Sequence, residues 1–293
     1  MGRALANLPE YELSGRLGRG AGAVIYEARQ RSTRRLVAVK HIVRRGPLED
    51  RFIEQAETEF AVGRAPIHET VRQCLDIVRV RRWLKTRELF LIMDFAEGES
   101  LEQQLKSLPP PTDVSELVSI FLKVAAGLHA LHRHGFAHAD IKPNNLIVSP
   151  RGAVRIIDLG QSCPLGHTKQ RVQGTPDFIA PEQVLRQPID QRTDVFNLGA
   201  TMYWAATRKW FRTMMSHAPT GSKKIEIDAR SGNEPPSQVN AAVPLPLSQL
   251  IVDCCEPRKD DRPRDMAQVV SRLEVVQHLI SRRRSDAAPS GTV

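Results

Sequence analysis

The chain is most informative between residues 138 and 145, where it reads HADIKPNN. Asp140 and Asn145 lie five residues apart in this stretch, with Lys142 between them. A carboxylate can accept a proton, amide and carboxylate oxygens can bind a hard divalent cation, and an ammonium can stabilise a developing negative charge. One short loop therefore carries a proton acceptor, a metal ligand and a cation.

A further acidic residue follows at a spacing that supports this interpretation. Thirteen residues after Asn145, the run IIDLG places Asp158 at the end of a short apolar segment. An apolar strand that ends in an aspartate directs a carboxylate out of the core, where it can chelate Mg²⁺. A single aspartate is usually a surface or capping residue, but the set in this order predicts magnesium-dependent phosphoryl transfer.

The first 40 residues contain two features that fit a bound phosphate. Residues 17–26 read LGRGAGAVIY, and residues 37–40 read VAVK. Glycines allow backbone N–H groups to approach phosphate oxygens because no Cβ intervenes. The glycine run alone is weak evidence, and no Gly-Lys-Ser/Thr follows it, which excludes a Walker A loop. Lys40 ends an apolar strand and is expected to place a cation at the mouth of a cleft.

The pattern of apolar residues divides the chain into a strand-rich front and a helical rear. Strands are predicted within residues 11–43, over 74–80 and over 89–95, with a helix over 49–63. The helices predicted beyond residue 100 cover 101–108, 114–134, 181–185, 192–206, 246–255 and 266–281. The sequence therefore predicts an α+β fold with a small β-rich lobe and a larger helical lobe, joined near residues 94–98.

Bulk composition narrows the class of protein. The chain has 293 residues, 41% of them hydrophobic, and a formal net charge of +9. It has no apolar run of about 18 residues and no apolar signal sequence in its first ten, so no membrane anchor is expected. Its four cysteines match no zinc spacing and favour reduced thiols in the cytoplasm. The basic runs are not interleaved with aromatic residues, so we expect no nucleic-acid partner.

These motifs resemble those of the Ser/Thr protein kinases, most closely the eukaryotic-like kinases of bacteria, over about residues 11–280. The resemblance implies the two-lobed protein kinase fold, use of ATP with Mg²⁺ (or Mn²⁺), and protein substrates that carry Ser or Thr. It also raises homodimerisation as an option. The implied organisation is an N-terminal extension at 1–10, a kinase domain at 11–281 (N-lobe 11–94, hinge 94–98, C-lobe 99–281) and a disordered basic tail at 282–293.

The resemblance also implies a nucleotide site. Lys40 resembles the lysine that holds the α- and β-phosphates, and Glu59 is the best match for its helical glutamate partner, with Glu57 as the alternative. Met93 resembles the gatekeeper, and residues 94–96 resemble the hinge whose backbone contacts adenine. The full nucleotide-binding set implied is Leu17, Gly18, Gly20, Ala23, Ile25, Ala38, Lys40, Glu59, Met93, Asp94, Ala96 and Leu146.

Catalytic and metal-binding roles are implied in the same way. Asp140 resembles the catalytic base, and Lys142 resembles the lysine that steadies the transferred phosphoryl group. Asn145 and Asp158 resemble the magnesium ligands. Thr175, read together with Lys142, is typical of Ser/Thr rather than Tyr kinases.

Three further residues resemble structural elements of the family. Glu182, in the run Ala-Pro-Glu that ends the activation segment, resembles the partner of a buried arginine, which Arg262 matches. Asp194 resembles the aspartate that braces the catalytic loop. Residues 208–242 match the family poorly, and a loop with a variable helix is expected there.

The chain departs from the family pattern at three places. Ala23 stands where the third glycine of the glycine-rich loop is usual, with Gly22 one place early, and Leu159 replaces a phenylalanine. Ala139 replaces an arginine that usually binds a phosphorylated residue of the activation segment. Alanine offers no donor, so we expect activity that does not depend on phosphorylation through that contact.

Two other functions compete with an active Ser/Thr kinase. A pseudokinase, acting as a nucleotide-binding scaffold, usually lacks at least one of Lys40, Asp140, Asn145 and Asp158, and all four are present. A small-molecule phosphotransferase of the aminoglycoside-kinase type lacks the lysine at position 142 and the docking segment at 175–182. The sequence favours the protein kinase over both.

Overall fold

The computed structural model describes residues 8–20, 22–82, 85–215 and 232–287. The chain forms two compact units. The first unit comprises residues 1–97 and 157–162, and the second comprises residues 98–156 and 163–293. The short return of the chain into the first unit was not predicted, and it carries Asp158 into the same unit as Lys40.

An antiparallel sheet in the order β1-β2-β3-β5-β4 forms the body of the first unit. Its strands are β1 (Tyr11–Gly20), β2 (Ala23–Gln30), β3 (Leu36–Val43), β4 (Cys74–Arg82) and β5 (Lys85–Asp94). Side chains alternate along β3, so that Ala38 and Ile42 join one apolar cluster while Val37 and Val39 join the other. Lys40 lies on the same face of the strand as Ala38 and Ile42.

Helix α1 (Asp50–Gly63) follows β3 and covers that face of the sheet. Ile53 and Ala56 of the helix pack with Ala38 and Ile42, because apolar residues recur at helical spacing on this side. A short 3-10 helix at Leu159–Gln161 packs against α1 within the same unit, and Leu159 is fully buried. Leu159 therefore belongs to the apolar interior of the first unit.

Helices dominate the second unit. They are α2 (Leu101–Leu105), α3 (Ser115–Arg133), α4 (Pro181–Val184), α5 (Gln191–Thr207), α6 (Pro236–Val239), α7 (Leu245–Cys254) and α8 (Met266–Ala287). Short strands β6 (Glu99–Ser100), β8 (Leu146–Val148) and β9 (Val154–Ile156) form one small sheet, and β7 (Phe136–Ala137) pairs with β10 (Cys163–Pro164). Nearly all of α5 is buried, since its apolar and small residues occupy every side of the helix. The α+β fold class and the two-part division into β-rich and helical regions are thus confirmed.

The last helix is longer than predicted. Helix α8 reaches Ala287, so the prediction of a disordered tail from residue 282 is wrong as far as residue 287, and residues 288–293 lie outside the described residues. Arginine is a good helix former and favours a helix C-terminus, and Arg284 forms an ion pair with Asp113. The helix was not predicted this far because residues 282–284 are arginines and do not continue the spacing of apolar residues on which the prediction depended.

Two other regions bear on the predictions. Within 208–242, helix α6 is present, while residues 216–231 lie outside the described residues, as do residues 1–7 of the predicted N-terminal extension. Across the part of the chain that the structure describes, no helix is both long enough and apolar enough to cross a membrane.

Candidate active site

A partly buried ion network in the first unit is centred on Lys40. Its Nζ lies 2.7 Å from Glu59 Oε2 and 3.2 Å from Asp158 Oδ1. Glu59 is 1% exposed, whereas the alternative Glu57 lies on the surface and accepts a hydrogen bond from Arg79 Nε. The structure therefore brings Lys40 together with Glu59 and Asp158, and separates it from Glu57.

The charge on Lys40 is secured by these two carboxylates. Burial alone would lower the pKa of this ammonium, because a charged group loses hydration in the interior. The charges of Glu59 and Asp158 and the hydrogen bond to Glu59 outweigh burial and raise the pKa above its ordinary value. Lys40 consequently carries a full positive charge throughout the physiological pH range.

Arg72 is a member of this network that the sequence did not reveal. Its Nη2 donates to Glu59 Oε1 at 3.1 Å, and its side chain is only 10% exposed. Glu59 thus uses one carboxylate oxygen for Lys40 and the other for Arg72. Because Arg72 is a single basic residue two positions before β4, nothing in its local pattern distinguishes it from a solvated arginine.

The geometry of the glycine-rich hairpin explains why its third glycine stands at position 22 and not at position 23. Gly20 pairs with Ala23 across the β1–β2 turn, and Ala23 is buried in the strand, where a side chain is tolerated. Gly22 instead has φ +72°, and a Cβ on it would lie 2.2 Å from the ring of Phe52 on α1. A two-residue hairpin turn commonly requires positive φ, so glycine is needed at 22 and not at 23. Cβ atoms on Gly18 or Gly20 would meet no described atom within 4 Å.

The remaining residues of the implied nucleotide set are placed by strand pairing. Ile25 pairs with Lys40, and Ala38 pairs with Met93, so all four belong to adjacent strands of one sheet. Met93 and Ala38 are buried in the apolar cluster. Two more of these residues, Leu17 and Ala96, belong to the first unit and are at least partly exposed, whereas Leu146 is buried in the second unit.

Asp94, predicted to be a hinge residue, forms hydrogen bonds through its backbone and through its side chain. Its N–H donates to the carbonyl oxygen of Gln73, and its Oδ1 accepts a 2.6 Å hydrogen bond from Arg35 Nη2. The carboxylate is thereby bound by the residue that precedes β3.

In the second unit, the loop at 138–145 brings Asp140, Lys142 and Thr175 into one hydrogen-bonded triangle. Lys142 Nζ donates to Asp140 Oδ2 at 2.9 Å and to Thr175 Oγ1 at 2.7 Å. The Thr175 hydroxyl in turn donates to Asp140 Oδ1 at 2.9 Å. Asp140 is therefore a carboxylate that already accepts a hydroxyl hydrogen bond with an ammonium beside it.

The two predicted magnesium ligands are described in separate units. Asn145 is buried, and its Nδ2 donates to the Asp140 carbonyl oxygen at 2.8 Å, which orients the amide and directs its nitrogen away from metal binding. Asp158 has φ +64°, and 42% of its side chain is exposed. An amide oxygen and an accessible carboxylate are the hard oxygen donors that suit Mg²⁺, so both residues fit this ion chemically.

Asp194 holds the backbone of the loop that carries Asp140. This carboxylate on α5 is completely buried and accepts N–H bonds from His138 at 2.8 Å and Ala139 at 2.7 Å, together with one from His132 Nε2 at 2.7 Å. Burial would raise the pKa of Asp194, but the bond from His132, the charges of His132 and His138 and the backbone bond outweigh it and lower that pKa. Ala139 adopts φ +59°, a left-handed conformation that costs a non-glycine residue about 1–2 kcal/mol.

A buried ion pair anchors the end of the activation segment. Arg262 donates from Nη1 and Nη2 to the two carboxylate oxygens of Glu182, at 2.8 and 3.0 Å, and both side chains are at most 1% exposed. Thr193 adds a hydroxyl bond to the same carboxylate. The guanidinium also donates to three backbone carbonyl oxygens, so all five of its N–H groups have an acceptor.

Residues 11–274 match the family model described as "Protein kinase domain". The chain belongs to this family. Its curated relatives include probable serine/threonine-protein kinases of Clostridium acetobutylicum (23% identity over 95% of this chain and 41% of the relative) and Clostridium perfringens (27%, 94% and 39%). The serine/threonine-protein kinase Pkn1 of Myxococcus xanthus is 27% identical over 90% of this chain and 38% of its own length.

This kinase domain spans about two fifths of the length of those three relatives. Lys40, Glu59 and Asp158 belong to the first unit, and Asp140, Lys142 and Asn145 belong to the second. The structure also gives this kinase domain a buried glutamine, Gln183, that the sequence analysis missed. Its four hydrogen bonds reach partners up to 44 residues away, which no local pattern signals.

Proposed function

We propose that this kinase domain transfers the γ-phosphate of ATP to Ser and Thr hydroxyls of protein substrates. The observation that carries the proposal is the triangle of Asp140, Lys142 and Thr175, in which a hydroxyl donates to a carboxylate beside an ammonium. The nucleotide-binding residues inferred from the sequence are proposed to hold ATP.

In the proposed reaction, the substrate hydroxyl oxygen forms a bond to the γ-phosphorus, and the bond from that phosphorus to the bridging oxygen of ADP breaks. Asp140 accepts the hydroxyl proton. Lys142 donates to the transferred phosphoryl oxygens. Lys40, held by Glu59, whose other carboxylate oxygen binds Arg72, donates to the α- and β-phosphates. Asn145 and Asp158 would hold Mg²⁺, which would neutralise phosphate charge.

The specificity for Ser and Thr is part of the proposal. Thr175 contacts both Asp140 and Lys142. Because the Thr175 hydroxyl itself donates to Asp140, this carboxylate is suited to accept a proton from the short aliphatic hydroxyl of a substrate Ser or Thr. The three relatives are named as serine/threonine-protein kinases, which supports this assignment. Homodimerisation, the use of Mn²⁺ and a cytoplasmic location stay predictions from the sequence, as does the lack of a nucleic-acid partner.

The test is transfer of radiolabelled phosphate from ATP to casein or myelin basic protein. Asp140→Asn removes the proton acceptor and keeps the side-chain shape, so labelling should fall at least a hundredfold. Asp260→Asn is the matched control, because Asp260 lies on the surface of the same unit with 80% of its side chain exposed. A scaffold without catalysis would show equal, background labelling in the wild type and in Asp140→Asn.

A further inference from the structure

Gln183, which directly follows Glu182, satisfies all four hydrogen-bonding positions of its carboxamide although it is only 4% exposed. Its Nε2 donates to the carbonyl oxygens of Ala139 at 2.8 Å and Gln173 at 3.2 Å. Its Oε1 accepts from the Ala180 N–H and from Asn197 Nδ2, both at 3.0 Å. One neutral side chain thus joins the catalytic loop, the activation segment, the start of α4 and helix α5.

The bond to Ala139 fixes the peptide that leads into the catalytic base. Ala139 has φ +59°, and its N–H already donates to Asp194. With its carbonyl oxygen held by Gln183, both polar backbone groups of this residue are occupied. The peptide between residues 139 and 140 therefore has little freedom to rotate, and the position of Asp140 depends on it.

The bond to Gln173 fixes the segment that leads to Thr175. Gly174 follows with φ +136°, and a Cβ there would lie 3.2 Å from Gln183 Nε2 and 3.1 Å from Ile179. The chain then delivers Thr175 to Asp140 and Lys142. Gln183 consequently positions both ends of the bond between Asp140 and Thr175.

Asn197 supports the glutamine from α5. Its Nδ2 donates to the Phe178 carbonyl oxygen at 2.7 Å as well as to Gln183, which determines the orientation of both amides. The glutamine oxygen must face Asn197 and the Ala180 N–H, so its NH₂ group faces the two carbonyls. Every hydrogen-bonding position of Gln183 is satisfied, whereas Asn197 Oδ1 has no hydrogen-bond partner in the part of the chain that the structure describes. Buried hydrogen bonds of this kind rigidify the segments that they join.

The surroundings of Ala139 are apolar. An apolar cluster is formed there by Ala137, Ala139, Cys163 and Ile189, with Leu165 packed against it. Strand β7 pairs with β10 beside the cluster, and His167 bridges to Ile189. These contacts and the amides of Gln183 and Asn197 are uncharged, so they hold the activation segment without needing a phosphate.

We infer that Gln183 is a positioning residue that keeps the activation segment in its substrate-binding arrangement without phosphorylation of that segment. The inference rests on the proposed kinase function. It deepens that function by naming a neutral side chain that holds the activation segment in place of a phosphate. The competing arrangement is an activation segment that is held in place by a phosphate group.

The central experiment uses Gln183→Leu and Gln183→Met. Both variants keep a side chain of similar size and remove all four hydrogen bonds. Gln249→Leu is the matched control, because Gln249 is an exposed residue on α7 that bonds only to Asp253 among the contacts described for its side chain. We expect kcat/KM for a protein substrate to fall about tenfold to a hundredfold in both Gln183 variants, since small displacements of reacting groups have effects of that size. The Kd of a fluorescent ATP analogue should stay within twofold.

Phosphatase treatment of the wild type is the second arm, and less than a threefold loss of activity is expected. Unchanged kcat/KM in both Gln183 variants would overturn the inference, as would a loss above tenfold after phosphatase treatment. Failure of both variants to fold, judged by urea unfolding, would show a general structural role and overturn it too. A wild type no more active than Asp140→Asn would instead refute the proposed function, and the inference with it.

Discussion

Replacement of Asp194 by asparagine should destabilise the protein and disorganise the catalytic loop. The carboxylate accepts the N–H groups of His138 and Ala139 on separate oxygens and also binds His132 Nε2. An asparagine has only one oxygen, so its NH₂ group must face one of the two backbone N–H donors. The substitution therefore removes a bond and places two donors against each other in a fully buried site.

The magnitude follows from these contacts. A buried N–H without an acceptor costs about 1–3 kcal/mol, and a hydrogen bond to a charged group contributes about 1.5–3 kcal/mol. Loss of one charged bond and weakening of the others gives an expected decrease of about 3–5 kcal/mol in the free energy of unfolding, similar to the cost of breaking a buried ion pair. The left-handed backbone of Ala139 can then relax, so kcat should fall by at least tenfold.

Urea unfolding measures the stability change, and Asp260→Asn is the control because its exposed ion pair with Arg192 should contribute at most about 1 kcal/mol. The pKa of Asp194 is lower in the folded state, so its stabilisation is complete above the unfolded-state pKa of about 3.9 and is lost as the pH falls through the folded-state value. The difference between wild type and Asp194→Asn should therefore be constant from about pH 7 to pH 5 and shrink in stronger acid. A difference below about 0.5 kcal/mol at pH 7 would refute this account of the loop.

Three further predictions follow from the two units. Arg262→Ala leaves the Glu182 charge buried without its partner and should lower the free energy of unfolding by about 3–5 kcal/mol in urea titrations, whereas a change under 1 kcal/mol would count against the pair. Arg72→Leu removes one of the two cations on Glu59, a loss of about 1 kcal/mol, and should raise the Kd for a fluorescent ATP analogue about three- to tenfold; an unchanged Kd would contradict it. Gly22→Ala meets both a positive φ and an aromatic ring and should lower the Tm in thermal unfolding by several degrees, about 2–4 °C per kcal/mol, while an equal Tm would disprove the clash.

The sequence predicted the parts of the site that lie on short, ordered motifs. Asp140, Lys142 and Asn145 share one loop, so their proximity follows from spacing, and the structure places Lys142 and Asn145 in hydrogen bonds with Asp140. The partnership of Lys40 with Glu59 needed the resemblance to a family, because 19 residues and a helix separate them. The bounds of the helices followed from apolar periodicity to within a few residues, except where charged residues continue a helix.

Other features depend on contacts that no local pattern reveals. Gln183 acquires its role from partners 3, 10, 14 and 44 residues away, and each partner group is a backbone or amide dipole with no distinct signature. Arg72 donates to Glu59 only because the segment that leads into β4 lies beside α1 in the folded unit. Gly22 is required by the ring of Phe52, which lies 30 residues further along the chain. Tertiary packing decides all three.

The most direct test of the kinase account is the identity of the residue that receives the phosphate. The wild-type chain is incubated with γ-labelled ATP, Mg²⁺ and casein, and the labelled product is hydrolysed in acid and separated into phosphoamino acids, with Asp140→Asn as the baseline. We predict phosphoserine and phosphothreonine at least a hundredfold above that baseline. Label confined to phosphotyrosine would contradict the proposed specificity, and label equal to the baseline would contradict phosphoryl transfer itself.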